Sequence, residues 1–253
     1  MGLYRAEGIV LSNREIGEAD RVVTLLCREQ GKLEAVARGA RRPRNRLVGL
    51  TLPFNLLRVS LFSGRGLDQL SQAEGIRSFQ GLRDDLTRLA YASYLVELAR
   101  EFLPEHEPNP GVFELLLLSL TRLEAGREPE GLTRLFELRL LDLSGFRPAL
   151  DGCLLCGGPP GGEVAFSCAS GGFYCGCCAR EDPASLLVPG AAVTALARGL
   201  AGDDDFCQVL PPGTRAAVQR ILRAFIEARL DRELRSLRFL LGVTGMREGV
   251  AGT

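Results

Sequence analysis

Two Cys-x-x-Cys pairs constrain the middle of this 253-residue chain more than any other feature of its sequence. The first pair is Cys153 and Cys156, and the second is Cys175 and Cys178, with residues 157–174 between them. Each pair fits a tight turn whose two thiolates face one point, and two such turns complete a tetrahedron around Zn²⁺. Because four protein ligands leave no open coordination position, the sequence predicts a structural zinc site rather than a catalytic one.

Other interpretations of the cysteines stay open from the sequence. Disulfide bonds are one alternative, and a thiol redox enzyme is another, although the βαβ context of a thioredoxin-like motif is missing. Cys168 and Cys177 lie close to the two pairs, and either could replace one of the four zinc ligands. Cys27 and Cys207 are surrounded by apolar residues, which predicts two small core side chains.

The pattern of residues 1–80 is that of a small all-β unit. Its short runs are separated by glycines, and in one of them Leu57, Val59 and Leu61 alternate with polar residues. Five strands in a segment of this length suit a small closed barrel. The OB-fold is the commonest nucleic-acid-binding barrel of this size, and an SH3-like barrel fits the pattern nearly as well. The predicted strands are residues 6–12, 21–27, 33–38, 56–62 and 67–73.

After the barrel segment, the spacing of apolar residues becomes helical. Residues 146–185 are too rich in Gly and Cys for long elements. We therefore predict an α+β multidomain protein, in which an N-terminal OB-fold barrel precedes an α-helical bundle that carries a four-cysteine zinc-finger insert. The barrel is residues 1–80, the helical domain is residues 81–145 and 186–253, and the insert is residues 146–185. The predicted helices are residues 82–102, 111–123, 130–143, 191–200 and 214 to about 239.

The composition is that of an ordinary globular protein, since 46% of the residues are apolar and 25% are charged, which argues against disorder and fibrous folds. A membrane span needs about 20 mostly apolar residues, and the charge-free stretches here are shorter and broken by Gly or Pro. Arg5 and Glu7 stand where a secretory signal would need apolar residues. The sequence therefore predicts a cytoplasmic protein without a membrane partner.

The charges are unevenly placed, although 31 Lys and Arg residues balance 31 Asp and Glu residues. Residues 1–80 carry 13 basic and 8 acidic residues, whereas residues 81–145 carry 7 basic and 12 acidic residues. A basic segment joined to an acidic one suggests a polyanionic partner for the basic segment alone. We therefore expect the acidic segment to contact proteins rather than nucleic acid.

The strongest basic feature is the segment 38–46, which we call the basic loop and which lies between the third and fourth predicted strands. No Asp or Glu occurs from Ala35 through Leu67, so the loop has no acidic neighbour in sequence. Gly39 and Pro43 predict an extended, mobile loop whose guanidinium groups follow a phosphate backbone and displace counterions. A solvated or protein-binding loop is the alternative. The predicted DNA-binding residues are Lys32, Arg38, Arg41, Arg42, Arg44 and Arg46.

Aromatic residues are scarce in the barrel segment. Its only aromatic residues are Tyr4, Phe54, Phe62 and Phe79, and the chain has no Trp. Proteins that bind single strands usually offer aromatic side chains on which the bases stack. Their scarcity predicts binding mainly through phosphates, with tolerance of single and double strands and little sequence specificity.

Several further features are predicted to carry no function. Arg229, Arg232, Arg235 and Arg238 recur at every third position, which predicts one stripe on a helix, most simply a solvated face. His106, the only histidine, is predicted to be exposed and idle. The phosphate-binding Gly-Lys-Ser/Thr loop, the His-Glu-x-x-His motif and the Gly-x-Ser-x-Gly elbow are all missing from the sequence, which predicts that the protein is not an enzyme.

Short motifs follow one another in a fixed order along nearly the whole chain. They are Glu7-Gly8-Ile9-Val10-Leu11, Glu18-Ala19-Asp20-Arg21, Gly31-Lys32-Leu33, Arg38-Gly39-Ala40-Arg41-Arg42, Leu52-Pro53-Phe54, Ser144-Gly145-Phe146-Arg147-Pro148, Cys153-x-x-Cys156-Gly157, and Gly171-Gly172 before the second cysteine pair. No single motif is diagnostic, but the ordered set resembles the RecO family of bacterial recombination mediators.

That resemblance implies an N-terminal OB-fold, a helical bundle behind it and a zinc knuckle inserted in the bundle. It also implies binding of single- and double-stranded DNA, annealing of complementary strands, and action with RecR to load RecA onto strands coated by the single-strand binding protein SSB. Such a protein would be associated with the nucleoid. The alternative is a zinc-stapled adaptor protein associated with RNA or with transcription.

Overall fold

The structure, a computed structural model, describes residues 2–64, 66–179, 182–230 and 232–245. Contacts between Cα atoms group these residues into two compact units. The first unit contains the described residues up to Arg127 and those from Leu234 onwards, and the second contains those from Glu128 to Glu233. In the chain, the second unit is therefore an insertion into the first. The division into four segments follows sequence pattern rather than contacts, and it stays a prediction.

A closed five-stranded barrel forms the N-terminal part of the first unit. Neighbouring strands pair in the order β1-β2-β3-β5-β4, and β4 returns to β1. All of these pairs are antiparallel except β3 with β5, which is parallel at Ala35↔Asp68 and Val36↔Gln69. This closure confirms the predicted OB-like barrel. The strands are β1 (Leu3–Ile16), β2 (Asp20–Cys27), β3 (Gly31–Ala37), β4 (Leu56–Phe62) and β5 (Asp68–Arg77).

Alternation of side chains explains why these segments form strands around one core. In β3, every second residue is buried, and Leu33 and Ala35 are 1% and 0% exposed. They meet Leu25 of β2 in the barrel interior, and each large aliphatic side chain buried there contributes about 1.5–3 kcal/mol. Cys27 lies in the same core, as predicted, and burial raises the pKa of its thiol to about 12.

Eight helices are present in the described part of the chain, and none is both long and apolar enough to cross a membrane. They are α1 (Leu47–Leu50), α2 (Gln80–Arg83), α3 (Leu86–Phe102), α4 (Pro110–Glu124), α5 (Pro129–Leu143), α6 (Gly190–Leu200), α7 (Pro212–Glu227) and α8 (Arg235–Thr244). Caps fix where they begin. Asp85 Oδ1 accepts from the Arg88 N–H at 2.8 Å at the start of α3, and Asn109 Oδ1 accepts from the Val112 N–H at 3.0 Å at the start of α4.

The prediction of one helix from residue 214 to about 239 is wrong, because the helix is interrupted between the end of α7 and the start of α8. Helix α7 belongs to the second unit, whereas α8 packs against α3 in the first. The predicted arginine stripe is wrong for the same reason, because Arg229 and Arg232 lie outside both helices. Only Arg235 and Arg238 share a helix.

A small antiparallel sheet occupies the Gly- and Cys-rich part of the second unit. Its strands are β6 (Glu163–Ser167), β7 (Gly172–Tyr174) and β8 (Leu186–Pro189), in the order β7-β6-β8. Phe166 of β6 meets Phe225 of α7 edge to face, with the ring centroids 5.5 Å apart. Because β7 ends one residue before Cys175, the sheet positions the second cysteine pair.

Candidate zinc centre and nucleic-acid interface

The four predicted zinc ligands come together in the second unit. The Sγ atoms of Cys153, Cys156, Cys175 and Cys178 all lie within 4.8 Å of one another, and those of Cys156 and Cys175 are 3.5 Å apart. Tetrahedral Zn²⁺ with Zn–S bonds of about 2.3 Å holds its sulfur atoms about 3.8 Å apart, so the cluster fits the ion. Binding of the metal stays a prediction.

Backbone hydrogen bonds form the two turns that present the thiols. In the first turn, the Gly157 N–H donates to the Cys153 carbonyl oxygen at 2.8 Å, and Gly157 has a φ of +71°, which favours glycine. In the second turn, the Cys178 N–H donates to the Cys175 carbonyl oxygen at 2.8 Å. The Cys175 N–H also donates to Cys153 Sγ at 3.3 Å, which connects the two turns.

The thiols of the cluster differ in how readily they lose a proton. Burial raises the pKa of Cys153, but hydrogen bonds from backbone N–H groups outweigh this effect and bring the pKa to about 6. Hydrogen bonding to Cys175 raises the pKa of Cys178 to about 12. A thiolate is therefore stabilised at Cys153, and binding of a metal ion would displace the proton of Cys178.

The two other cysteines of this region lie outside the cluster. Among the residues that the structure describes, the group of converging thiols includes neither Cys168 nor Cys177. Cys177 is exposed, whereas Cys168 is half-buried, and burial raises the pKa of its thiol. Arg229 Nη1 donates to the Cys168 carbonyl oxygen at 3.3 Å and fixes the backbone there. The geometry therefore favours the four predicted ligands over a substitution by either residue.

The basic loop is folded into consecutive turns, so the prediction of an extended loop is wrong. The Arg42 N–H donates to the Gly39 carbonyl oxygen at 3.0 Å, and the Asn45 N–H donates to the Arg42 carbonyl oxygen at 2.9 Å. Gly39 has a φ of +67°, and its N–H donates to Asp20 Oδ1 at 2.7 Å. Glycine permits this left-handed position, and the carboxylate of Asp20 then holds the turn against the barrel.

Arg41 is bound to the turn between β1 and β2. Its guanidinium group lies 3.0 Å from the carboxylate of Glu15 and donates to the carbonyl oxygens of Gly17 and Glu18 at 3.1 and 3.2 Å. The sequence indicates a loop without acidic compensation, but strand pairing brings Glu15 to it. Arg41 therefore anchors the basic loop, and its charge is already neutralised in part.

The four other arginines of the loop carry its available positive charge. Their side chains are exposed, and within the described ranges no hydrogen bond or ion pair engages their guanidinium groups. Groups of this kind can form paired hydrogen bonds with phosphate oxygens and replace condensed counterions. These four residues are Arg38, Arg42, Arg44 and Arg46.

Lys32 is not brought together with the loop arginines. It lies half-buried on β3, and its Nζ donates to the backbone carbonyl oxygen of Arg100 near the end of α3 at 2.7 Å. The last carbonyl groups of a helix carry partial negative charge, so the ammonium group is well placed there. A DNA contact by Lys32 stays a prediction.

A polar row lies across β1, β2 and β3, and the sequence alone does not reveal it. Ser12 Oγ donates to Thr24 Oγ1 at 3.0 Å, and Thr24 Oγ1 donates to Glu34 Oε1 at 3.3 Å. Glu34 also forms an ion pair with Arg14 at 3.2 Å. OB-folds commonly bind oligonucleotides on the face of their second and third strands. The ion pair with Arg14 offsets the charge of Glu34, so this row adds no net positive charge to the face.

The few aromatic side chains of the barrel segment are largely withdrawn from solvent. Phe54 and Phe79 are 3% and 1% exposed, whereas Phe62 is 46% exposed. Arg83 covers the ring of Phe54, with its Cζ 5.6 Å from the ring centroid. The barrel therefore offers few platforms for base stacking.

Comparison with known proteins assigns the chain to a family. Residues 1–79 match the sequence profile described as "Recombination protein O N terminal", and residues 83–238 match the profile described as "Recombination protein O C terminal". The chain belongs to the RecO family. The two matches together span almost all of the sequence, and they confirm the resemblance carried by the ordered motifs.

Relatives named DNA repair protein RecO align over nearly their full length. The protein of Symbiobacterium thermophilum is 45% identical over 246 residues, which cover 95% of this chain and 97% of the relative. The protein of Myxococcus xanthus is 40% identical over 245 residues, covering 96% and 99%. That of Pelotomaculum thermopropionicum is 38% identical over 242 residues, covering 95% and 94%. Family membership therefore supports a function in DNA repair and recombination.

Proposed function

We propose that this chain is a DNA-binding recombination mediator that binds single- and double-stranded DNA without sequence specificity. The observation that carries the proposal is the set of four exposed guanidinium groups on the basic loop. Guanidinium groups pair with phosphate oxygens and release counterions, and neither effect depends on base sequence. The burial of Phe54 and Phe79 supports binding through phosphates rather than through stacked bases.

Charge neutralisation offers a physical route to strand annealing. Two complementary strands repel each other through their phosphates, and this repulsion slows pairing. Arginines that neutralise both backbones lower the repulsion, after which the bases can pair by themselves. The proposed activity therefore involves no chemical step.

The same proposal includes the partners that the family resemblance implies. The chain would act with RecR and load RecA onto single strands coated by SSB, in the cytoplasm and at the nucleoid. The acidic segment 81–145 supports separate surfaces for DNA and protein, because its 12 acidic residues outnumber its 7 basic residues. Such a surface repels DNA and can attract basic patches of protein partners.

We further propose that Zn²⁺ binds to the cluster of Cys153, Cys156, Cys175 and Cys178 as a structural ion. Four thiolates fill a tetrahedral coordination sphere, so a substrate has no access to the metal. The ion would fix the two turns relative to each other and to β7. Its binding free energy would then stabilise the folded state of the second unit.

Binding of labelled oligonucleotides over a series of salt concentrations tests the DNA proposal. Four phosphate contacts predict a slope of log affinity against log salt of about −2.8 for single strands and about −3.6 for duplex. Arg42→Ala/Arg44→Ala should reduce both slopes to about half and slow annealing. Arg5→Ala/Arg220→Ala is the matched control, because it removes the same charge from exposed positions outside the loop.

Comparison of the two double variants distinguishes a specific role of the basic loop from a general effect of the protein's net charge. An equal loss in the two double variants would assign the effect to net charge and contradict the role of the loop. The absence of binding at low salt would contradict DNA binding altogether. A strong preference for RNA over DNA of the same base sequence would instead support the adaptor alternative.

A further inference from the structure

A cavity of about 710 Å³ lies in the first unit beside the basic loop. The chain from the last residue of the loop to the start of β4 forms one wall, which includes Arg46, Gly49 and Asn55. The second half of β5 forms another wall, which includes Glu74 and Gly75. Because Arg46 belongs to both the basic loop and the cavity wall, a strand whose phosphates lie on the loop would pass the cavity.

Hydrogen bonds hold the first wall in place. Asn55, which is 4% exposed, donates from Nδ2 to the carbonyl oxygens of Gly49 and Leu50 at 2.8 and 3.0 Å. Asn55 Oδ1 accepts from Arg83 Nη2 at 2.8 Å, and the same nitrogen of Arg83 donates to the carbonyl oxygen of Pro53. Because this wall is fixed before binding, less conformational entropy is lost when a ligand binds.

Gly49 leaves room in the cavity for a planar group, because a Cβ added there would meet no atom within 4 Å. The space beside Gly75 is instead filled by Leu50, whose Cδ2 would lie 3.2 Å from a Cβ added at Gly75. A β-bulge at Ile76 bends β5 at this point, because Gly75 and Arg77 pair with consecutive residues of β4. Bulges of this kind are common beside functional sites.

The side chains around the cavity suit a nucleobase. Arg46 carries an exposed guanidinium plane, on which a base can stack. Glu74 and Gln80 supply oxygen acceptors for an exocyclic amino group. The ion pair of Glu74 with Arg58 is long, at 3.5 Å, and exposed, so this carboxylate stays available to a ligand.

We propose that the cavity binds one unpaired base of a single-stranded DNA whose phosphates lie on the basic loop. This inference rests on the proposed function and adds a site that distinguishes single strands from duplex. A base inside a duplex is paired and stacked, and it enters such a site only after the duplex opens. A base held apart from its neighbours leaves the bound strand unstacked locally, which favours pairing with an incoming complement.

Filling the cavity tests the inference, and Gly49→Leu does so from a helical position that has open space for a side chain. The affinity for a single strand should fall about ten-fold at fixed salt, which corresponds to the loss of one stacked base. The affinity for duplex and both salt slopes should stay unchanged, because the loop arginines remain. Gly213→Leu is the matched control, since Gly213 is also helical, exposed and free of atoms within 4 Å of an added Cβ.

Fluorescence of a labelled single strand gives a second test, which works on the wild-type protein and so does not depend on whether the Gly49→Leu variant folds. A 2-aminopurine base in a single strand is quenched by its stacked neighbours, so its fluorescence should rise when the base enters the cavity. The rise should be smaller with Gly49→Leu and unchanged with Gly213→Leu. Two results would contradict base binding in the cavity while leaving the role of the basic loop intact. One is an equal loss of affinity for single strand and duplex in Gly49→Leu, and the other is no loss in that variant together with no rise in fluorescence in the wild type. If the wild type bound neither form at low salt, the proposed function would fail as well.

Discussion

Glu97 and Ser236 are 139 positions apart in the chain and are joined by two hydrogen bonds. The carboxylate of Glu97 on α3 accepts from the Ser236 N–H at 2.7 Å and from the Ser236 hydroxyl group. Ser236 lies in the first turn of α8, where the unpaired N–H groups favour a negative charge. Glu97 therefore fixes α8 to α3 after the chain returns from the second unit.

Replacing Glu97 with Gln should release α8 without unfolding the barrel. The variant loses a charge at the helix N-terminus and weakens two charge-assisted hydrogen bonds, at a cost of about 1–3 kcal/mol. Hydrogen exchange should show faster exchange of the α8 amides and unchanged exchange in β2 and β3. Glu163→Gln is the control, because it makes the same change at an exposed position in the second unit. Uniformly faster exchange throughout the first unit would contradict a local role.

Replacing Lys32 with Met should lower stability rather than weaken DNA binding through lost phosphate contacts. Lys32 donates to the Arg100 carbonyl oxygen, and the His106 N–H donates to the Lys32 carbonyl oxygen at 2.8 Å. The start of β3 thus holds the end of α3, and loss of the ammonium group should cost about 1–2 kcal/mol in the free energy of unfolding. Urea denaturation measures this cost. A salt slope that becomes shallower by about 0.9 on duplex would instead make Lys32 a phosphate contact.

Local patterns in the sequence were sufficient to predict many elements. The bounds of β4 agree with the prediction, because alternating apolar residues mark a half-buried strand. Prolines mark the starts of α4 and α5, which begin at Pro110 and Pro129, one residue before the predicted positions. The clustering of four thiols follows in the same way from the spacing within each Cys-x-x-Cys pair.

Relationships across strands could not be predicted, because they depend on register. Arg41 meets Glu15 only because β1, β2 and β3 pair in sequence, which brings the loop after β3 to the turn before β2. The arginine stripe failed for another reason. Its spacing of three continues through the break after α7, where Arg229 instead places its Cζ 3.3 Å from the ring centroid of Phe225. Such a tertiary contact cannot be predicted from the local spacing of residues.

Replacing Arg41 with Ala should separate anchoring of the basic loop from phosphate contact. The variant loses the ion pair with Glu15 and two hydrogen bonds to carbonyl oxygens, so the loop loses its fixed conformation. DNA affinity should fall several-fold while the duplex salt slope stays near −3.6, because the four contacting arginines remain. Arg42→Ala should change the slope by about 0.9 instead. A slope change with Arg41→Ala equal to that of Arg42→Ala would assign Arg41 to phosphate contact.

Loss of the metal should destabilise the second unit and leave the basic loop functional. Cys153→Ser removes one of the four converging thiols, so the variant should bind little Zn²⁺ by metal analysis and unfold at a lower temperature than the wild type. Duplex affinity should change less than two-fold, because the loop belongs to the first unit. Cys177→Ser should retain the metal, since Cys177 is exposed and lies outside the cluster. Full zinc content in Cys153→Ser would refute the assigned ligand set, and an equal loss of DNA affinity in a folded, zinc-free variant would place the knuckle in the DNA interface.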